Sequence, residues 1–362
     1  MMSVWSSLVG QDAAVAKLSE AAASARAIVA SPGSGRATDE ARSMSHAWLI
    51  TGPPGSGRSV AARAFAAALQ CTGATPGCGQ CPGCRTTMGR TNADVLFAAT
   101  ETSIINVGTA RSLVLQAQSS PSQGLWRVIV VEDADRLGES GANALLKAIE
   151  EPPEHTVWLL CAPSPEDMIA TIRSRCRHLG LRIPTASAVA DLLVREGVAT
   201  PDVALEAARA AQSHIGLARA LARDPQMRER RRAIITAPAS VRSVGEAVMA
   251  ADRLLETAKA QADAQVSERN AREKAELLRQ LGMDEGESAT KASRTMIRQL
   301  EEDQKRRSKR ALTDAIDRAL IDLLAIYRDV LMIQVGGDGE LINTDLSDLV
   351  HEIAQDSTLR QT

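Results

Sequence analysis

Aromatic side chains are scarce in this sequence. Tryptophan, tyrosine and phenylalanine together make up 2% of the 362 residues. Because single-stranded nucleic acids bind largely by stacking their bases on aromatic rings, this scarcity argues against a chain that binds such strands by itself. The charge is also almost balanced, at a formal −2, whereas a nucleic-acid-binding domain usually has a clear excess of basic residues.

Long hydrophobic runs are missing as well. No apolar run approaches the roughly 20 residues of a membrane-spanning helix. The first residues, MMSVWSSLVGQDAAV, have neither the basic segment nor the hydrophobic segment of a secretion signal. We therefore expect a cytoplasmic protein without a membrane partner. A chain of this length can bury a sizeable core and should contain two or three domains.

Cysteine is uncommon but concentrated in one place. Four of the six cysteines lie within fourteen residues, with glycines and two prolines between them, namely Cys71, Cys78, Cys81 and Cys84. Such turns can aim several sulfurs at one point, and four thiolates without a further ligand are typical of a closed structural zinc site. An iron–sulfur centre is the alternative, but a proline normally follows its last cysteine. Arg85 stands there in this sequence, which favours zinc.

A glycine-rich turn between an apolar strand and an alanine-rich helix is the most informative motif, and it lies between His46 and Leu69. Glycines let backbone N–H groups converge on phosphate oxygens, and the following helix points its positive end at the same place. The turn fits the P-loop pattern at every required position but one. The predicted nucleotide-binding residues are Gly52, Pro53, Pro54, Gly55, Ser56, Gly57, Arg58 and Ser59.

Arg58 is the exception, because the P-loop pattern has a lysine at this position. A lysine is a compact point charge, whereas a guanidinium is planar and bulkier, so the exchange is not conservative. Ser59 would supply a hydroxyl to a magnesium ion. We expect that ATP with magnesium can bind here but that this chain alone hydrolyses it weakly or not at all. An ordinary glycine–proline turn is the alternative interpretation.

A pair of carboxylates follows the apolar run from Trp126 to Val131. Continuous apolar runs are typical of strands covered on both faces of a parallel sheet. Carboxylates at the carboxyl end of such a strand, beside a P-loop, can hold magnesium and orient the attacking water. ATPases of this type usually have Asp and then Glu, whereas Glu132 precedes Asp133 here. The reversed order also predicts poor hydrolysis, and a solvated turn is the alternative.

Alternating strands and helices up to about residue 180 predict an α/β P-loop domain with a parallel sheet. We place this domain at residues 1–182, with the cysteine insertion at 71–84. Three short helical stretches at 183–228 predict a small helical lid, and Arg219 on its last helix could face the nucleotide.

Residues 240–362 are predicted to form an all-α domain. Mixed charge is dense between residues 252 and 310, which indicates exposed helix faces. Leu312, Ile316, Leu320, Leu323, Leu324, Tyr327 and Leu331 recur at helical spacing. One broad apolar face is therefore expected on this helix, packed either in a hairpin of its own or against another subunit.

Four features together resemble a known family. They are the P-loop GPPGSGRS, the cysteine insertion after its helix, the string NALLKAIEEPP from Asn143 to Pro153, and the tripeptide SRC at 174–176. In this order they resemble the AAA+ clamp-loader ATPases of bacterial DNA polymerase III. The resemblance covers about the first 225 residues, and the helical remainder is similar only in general character to the collar domain of that family.

The resemblance implies a subunit of a heteropentameric ring that opens the sliding clamp and places it on primed DNA. The implied partners are the gamma/tau motor subunits and the delta subunit, with the clamp and primed DNA contacted through the complex. By motif match, Arg175 is the arginine finger supplied in trans to ATP on the adjacent motor subunit, and Arg219 is the second sensor. The helices of residues 240–362 would build the ring collar.

The departures at Arg58 and at Glu132-Asp133 resemble the largely non-hydrolysing subunit, because the motor subunits have lysine and Asp-Glu there. A motor subunit in which Arg58 replaces the lysine is the first alternative. A zinc-bearing, DNA-binding ATPase unrelated to the polymerase is the second.

Overall fold

The structure is a computed structural model that describes residues 3–30, 43–98, 104–241, 243–281 and 291–359. The chain divides into two compact units, unit 1 (Met1–Arg219) and unit 2 (Ala220–Thr362). The predicted domain limits at residues 182, 228 and 240 do not coincide with this division and stay predictions. The polar segment from residue 31 to residue 45 is expected from its composition to be a loop, and residues 31–42 of it lie outside the described residues.

A parallel sheet of five strands forms the centre of unit 1, in the order β2-β3-β4-β1-β5. Every pair of neighbouring strands is parallel. The strands are β1 (Ala47–Thr51), β2 (Val95–Ala98), β3 (Arg127–Val131), β4 (Thr156–Ala162) and β5 (Arg177–Gly180). The apolar runs of β1, β3 and β4 lie at the centre of the sheet and are buried almost throughout. The parallel α/β fold expected from the sequence is therefore confirmed.

Helices flank the sheet and follow it in the chain. Those that begin in unit 1 are α1 (Asp12–Ala30), α2 (Arg58–Leu69), α3 (Pro82–Met88), α4 (Val107–Ala117), α5 (Glu139–Glu150), α6 (Ala170–Arg173), α7 (Ala186–Arg195), α8 (Pro201–Ala210) and α9 (Ile215–Arg223). Helices α7 to α9 are the three short helices expected after the sheet. A short 3₁₀ helix at Val4–Ser7 precedes α1.

The core of unit 1 lies on both faces of the sheet because successive strand residues point to opposite sides. Trp48 and Ile50 belong to a cluster with the residues of α2, whereas Leu49 belongs to a second cluster with those of α4 and α5. Helix α2 presents fully buried alanines and Phe65 to the sheet, and the rings of Trp48 and Phe65 lie edge to face at 5.3 Å. Alanines let this helix approach the strands closely, which places the start of α2 at the end of β1.

Unit 2 is helical, with α10 (Pro225–Thr236), α11 (Val244–Gln280), α12 (Lys291–Gln334) and α13 (Ser347–Asp356). Helices α11 and α12 form an antiparallel hairpin in which Arg307 bonds to Asn270 at 2.7 Å and to Glu273 at 2.8 Å. Exposed ion pairs one turn apart, such as that between Arg298 and Glu302, follow these helices. The expectation of solvated, charge-rich faces is confirmed.

The buried face of α12 differs from the predicted apolar face. Leu320, Leu324 and Leu331 are exposed, while Asp322 and Asp329 are buried beside Ile326 and Val330. Asp322 accepts a hydrogen bond from the buried Arg231 on α10 at 3.1 Å. The buried face of α12 is therefore rotated relative to the predicted apolar face. A charged residue can be buried when it is paired, and hydrophobic periodicity does not reveal such pairs. No helix in the described part of the chain is long and apolar enough to cross a membrane.

Candidate nucleotide and metal sites

The P-loop lies where β1 ends at Thr51 and α2 begins at Arg58. Gly55 and Gly57 have φ values of +89° and +90°, which only glycine adopts without strain. Gly52 N–H donates to the carbonyl of Pro163 at 3.1 Å, and Ser56 N–H donates to that of Pro53 at 3.1 Å. These bonds hold the turn against the end of β4 and close it on itself. The strand–loop–helix context expected for a P-loop is therefore present.

Two polar atoms of this loop are buried without a hydrogen-bond partner, Ser56 Oγ and Arg58 Nη1. Buried polar groups are nearly always satisfied, so such atoms indicate a place for a ligand. A guanidinium N–H and a hydroxyl are both donors suited to an anion, and Ser59 lies beside them in the first turn of α2. The loop residues therefore fit a phosphate group.

His214 packs directly on the P-loop. A Cβ added at Gly55 would lie 2.8 Å from the Cα and 2.9 Å from the Cβ of His214, which comes just before α9. Any larger residue at position 55 would displace this segment. No local pattern in the sequence indicates the contact, because it joins residues that are far apart in the chain.

A cavity of about 740 Å³ lies between the amino-terminal segment and α7. Leu8, Val9 and Gly10 line one side, and Ala188 and Val194 line the other. The segment is anchored by Gln11, whose side-chain amide donates to the carbonyl of Ser56 at 3.3 Å and to that of Arg182 at 2.5 Å. This largely apolar cleft is therefore tied to the P-loop through Gln11.

The carboxylates after β3 lie near Arg58 and the end of β4. Burial raises the pKa of Asp135, Asp133 raises it further, and Arg58 opposes both. Burial also raises the pKa of the Cys161 thiol to about 12, and Arg58, Glu132 and Asp133 are close enough to influence it. The P-loop arginine and the two predicted carboxylates are thus brought together around the end of β4.

Glu132 is already engaged by a cation of this chain. Its Oε1 lies 2.5 Å from Nη2 of Arg90, and its side chain is only 14% exposed. Arg63 on α2 is also close to this pair. Burial and the charge of Arg90 lower the pKa of Arg63, and the charge of Glu132 partly opposes them. A carboxylate that binds a guanidinium has less capacity for a metal ion, and the role of Glu132 at the nucleotide site stays a prediction.

The four clustered cysteines converge as predicted. Their sulfur atoms all lie within 4.8 Å of one another, and the sulfurs of Cys71 and Cys81 are 3.9 Å apart. Backbone N–H groups of Cys81 and Cys84 donate to the sulfurs of Cys78 and Cys81, each at 3.4 Å. Four sulfurs at these separations fit one tetrahedral zinc ion. These residues would hold the metal, whose role there is structural.

The pKa values of two cysteines in the cluster shift in opposite directions. Burial would raise the pKa of Cys81, but hydrogen bonds from Cys84 and Thr72 lower it to about 6. Burial raises the pKa of Cys84 instead. Thiolates are the metal-binding form. Arg26 of α1 holds the loop from outside, donating to the carbonyls of Cys71 and Ala74 at 2.8 Å each.

Arg175 lies between α6 and β5 with its side chain 37% exposed. Its guanidinium forms an ion pair with Glu150 at the end of α5, and its Nη1 donates to the carbonyl of Thr171 at 2.8 Å. Glu150 belongs to the string from Asn143 to Pro153, so two of the motifs singled out in the sequence meet here. An exposed arginine fixed by acceptors on two helices is presented in a defined orientation.

Arg219 contacts a different partner from the one expected. Its Nε and Nη2 donate to the two carboxylate oxygens of Glu196 at 2.9 Å each. Glu196 caps the end of α7, so the pair joins two of the three short helices. A role for Arg219 toward a nucleotide stays a prediction.

Together these features define a class. The first strand of the parallel sheet leads through a glycine-rich loop into a helix, carboxylates follow β3, and the short helices α7 to α9 follow the sheet in the chain. This arrangement is that of a P-loop domain of the AAA+ type. Residues 36–185 match the family described as DNA polymerase III, delta subunit. Over this region the chain is similar to the clamp-loader AAA+ family of DNA polymerase III.

Individual relatives agree on the family but not on one subunit. The chain is 35% identical over 173 residues to DNA polymerase III subunit gamma/tau of Mycobacterium tuberculosis, covering 45% of this chain and 29% of that protein. It is equally 35% identical over 166 residues to subunit delta' of Pseudomonas aeruginosa, covering 45% of this chain and 50% of that protein. The chain thus spans about half or less of the length of these relatives.

Among solved structures, a gamma subunit-related protein of Thermotoga maritima is similar, with 17% identity and a TM-score of 0.39 over 75% of this chain and 94% of that one.

Proposed function

We propose that this chain is a delta-prime-type subunit of the bacterial DNA polymerase III clamp loader. In this role it acts as a largely non-hydrolysing stator and supplies Arg175 in trans to ATP on a neighbouring gamma/tau motor subunit. The observation that supports the proposal most is the contrast between Arg175, which is exposed and held in place, and Glu132, which is neutralised within the chain.

The chemistry follows from the guanidinium. In phosphoryl transfer, negative charge is spread over the oxygens of the transferred group, and a positioned arginine stabilises it. The guanidinium of Arg175 can donate two N–H groups in parallel. Because Glu150 and the carbonyl of Thr171 already orient it, little conformational entropy would be lost when a neighbour's nucleotide approaches.

The proposal extends to partners and metal. The partners would be the gamma/tau and delta subunits, with the sliding clamp and primed DNA reached through the assembled ring in the cytoplasm. The four-cysteine cluster would hold a structural zinc ion, and unit 2 would contribute to the ring collar. A clamp-loader motor subunit stays the second candidate, supported by the equal identity to gamma/tau. The family match argues against a protein unrelated to the polymerase.

The test is ATP turnover by the reconstituted ring containing Arg175→Ala in this chain. Loss of an arginine finger costs about 10³- to 10⁵-fold in turnover at the site that it completes. The matched control is Arg173→Ala, since Arg173 is a neighbouring exposed arginine. Both variants should fold and assemble, as judged by circular dichroism and gel filtration. Equal turnover in the two variant rings would reject the role in trans.

A further inference from the structure

Arg90 has a backbone conformation that is unusual for its residue type. It follows α3, where Arg90 N–H donates to the carbonyl of Thr87 at 3.0 Å and Thr91 N–H donates to that of Thr86 at 2.8 Å. This pair of bonds is a Schellman helix end, whose left-handed position usually holds glycine. Arg90 occupies that position with φ of +59°. A non-glycine residue there costs free energy, so its side chain has a role that glycine could not fill.

The side chain of Arg90 reaches the carboxylate after β3. Its Nη2 lies 2.5 Å from Oε1 of Glu132. Its guanidinium also stacks over the ring of Phe97 on β2, with Cζ of Arg90 5.0 Å from the ring centroid. Stacking fixes the plane of the guanidinium and leaves its N–H groups pointed at the carboxylate. The Glu132 side chain is 14% exposed and the Arg90 side chain is 43% exposed, so only the carboxylate end of the pair is shielded from solvent.

Glu132 stands at the strand end where a P-loop ATPase holds its magnesium ion. A permanently charged guanidinium on this carboxylate competes with any divalent cation for the same oxygens. Arg63 adds a second positive charge to the surroundings of Glu132. Two cations of the chain itself therefore lie near the end of β3, namely Arg63 on α2 and Arg90 after α3.

We propose that Arg90 is the resident cation of Glu132 and holds this carboxylate out of metal binding. The inference deepens the proposed non-hydrolysing role and rests on it for its biological meaning. Helix α3 also carries Cys84 and is capped by Cys81, so two predicted metal ligands lie in the segment that fixes Arg90.

The test uses the full chain and Mn²⁺ as a spectroscopic substitute for Mg²⁺, titrated in the presence of ATP and followed by electron paramagnetic resonance. The main variant is Arg90→Gly, because glycine suits the left-handed backbone and removes the charge. An opposite charge at this distance typically shifts a carboxylate's proton affinity by one to three orders of magnitude. We expect Arg90→Gly to bind Mn²⁺ at least about tenfold more tightly than the unmodified chain.

Three comparisons make the result specific. Arg90→Lys retains the charge and should stay near the unmodified chain. Arg85→Ala removes another exposed arginine of α3 and should have no effect. In the double variant Arg90→Gly with Glu132→Gln, the gain in affinity should disappear, because Glu132 would be the ligand that Arg90 releases.

Equal Mn²⁺ affinity in Arg90→Gly and the unmodified chain would overturn the inference, as would a gain that survives the Glu132→Gln change. Failure of the proposed function looks different. Steady-state ATP turnover by the unmodified chain alone would reject the non-hydrolysing role, whereas the Mn²⁺ comparison would still decide what Arg90 does.

Discussion

Two arginine–glutamate pairs of unit 1 differ in their surroundings. In the Arg90–Glu132 pair the arginine is 43% exposed and the glutamate 14%, and only the glutamate is mostly buried, after a central strand beside the P-loop. In the Arg175–Glu150 pair the two side chains are 37% and 41% exposed, at the end of α5. An exposed pair contributes only about 0–1 kcal/mol to stability, so stability does not account for the second pair.

The two pairs differ in which residue acts on the other. Beside the P-loop, the arginine neutralises a carboxylate that would otherwise be available to a metal ion. At the end of α5, the glutamate orients an arginine that stays accessible to a neighbouring molecule. An arginine–glutamate ion pair therefore makes Glu132 less available to a metal ion but orients Arg175 toward solvent. This combination is expected for a subunit that acts on its neighbour's nucleotide.

The largest expected effect concerns the support of the Arg90–Glu132 pair. Cys84→Ser removes one of four sulfurs that lie within 4.8 Å of one another, and structural zinc sites contribute on the order of 10 kcal/mol of apparent binding free energy. We expect bound zinc to fall from about one ion per chain to nearly none, with increased hydrogen exchange in residues 71–91. Metal analysis by mass spectrometry and exchange measurements check this.

Cys161→Ala is the control, because this cysteine lies outside the cluster. It should leave the zinc content unchanged. Equal zinc content in Cys84→Ser and the unmodified chain would mean that the cluster does not hold the metal.

A third carboxylate, Asp94, gives a structural reference for the comparison. It is 1% exposed and accepts hydrogen bonds from the backbone of Ser122, Gln123 and Gly124 at 2.6–2.8 Å. Its removal leaves three backbone N–H groups without their carboxylate acceptor, and Asp94→Ala should lower the free energy of unfolding by about 3 kcal/mol. Urea denaturation measures this, with the exposed Asp191→Ala as control.

The pH dependence of this contribution has a definite sign. Burial would raise the pKa of Asp94, but the three backbone N–H donors and the hydroxyl of Ser122 lower it. The stabilisation is therefore complete above the unfolded pKa of about 3.9 and is lost as the pH falls through the lower folded pKa. The stability difference between the unmodified chain and Asp94→Ala should shrink in that acid range. A difference that stays constant there would contradict the assignment.

The smallest expected effect tests whether Glu150 serves Arg175. Glu150→Gln removes the charge that orients the guanidinium but leaves the carbonyl of Thr171 as an acceptor. Ring ATP turnover should fall about tenfold, which is the scale of one charge-assisted hydrogen bond. The stability of the isolated chain should hardly change. The adjacent Glu151→Gln is the matched control, and equal turnover in both variant rings would remove the positioning role.

Local patterns carried most of the fold prediction. The continuous apolar run from Trp126 to Val131 identified β3, which spans Arg127–Val131 in the structure. The cysteine cluster was equally predictable because its ligands are close in the chain. Strand β5 was missed, since only Leu179 of its four residues is buried. This edge strand is determined by pairing with β1, which leaves no apolar run to detect.

Contacts between distant residues explain what the sequence could not predict at the site. Arg90 reaches Glu132, and His214 packs on Gly55, only after the sheet has assembled. Sequence patterns predict glycine at the left-handed position of a helix end, so they do not reveal that Arg90 adopts this conformation. Burial of Asp322 and Asp329 on α12 depends on partners contributed by distant segments, which is why the predicted apolar face was partly wrong.

The most direct measurement of the central claim is steady-state ATP hydrolysis by the purified chain alone, compared with rings in which this chain carries either Ser59→Ala or Arg175→Ala. The account predicts negligible turnover by the isolated chain, normal turnover in the Ser59→Ala ring and a large loss in the Arg175→Ala ring. Brisk hydrolysis by the isolated chain that Ser59→Ala abolishes would contradict it.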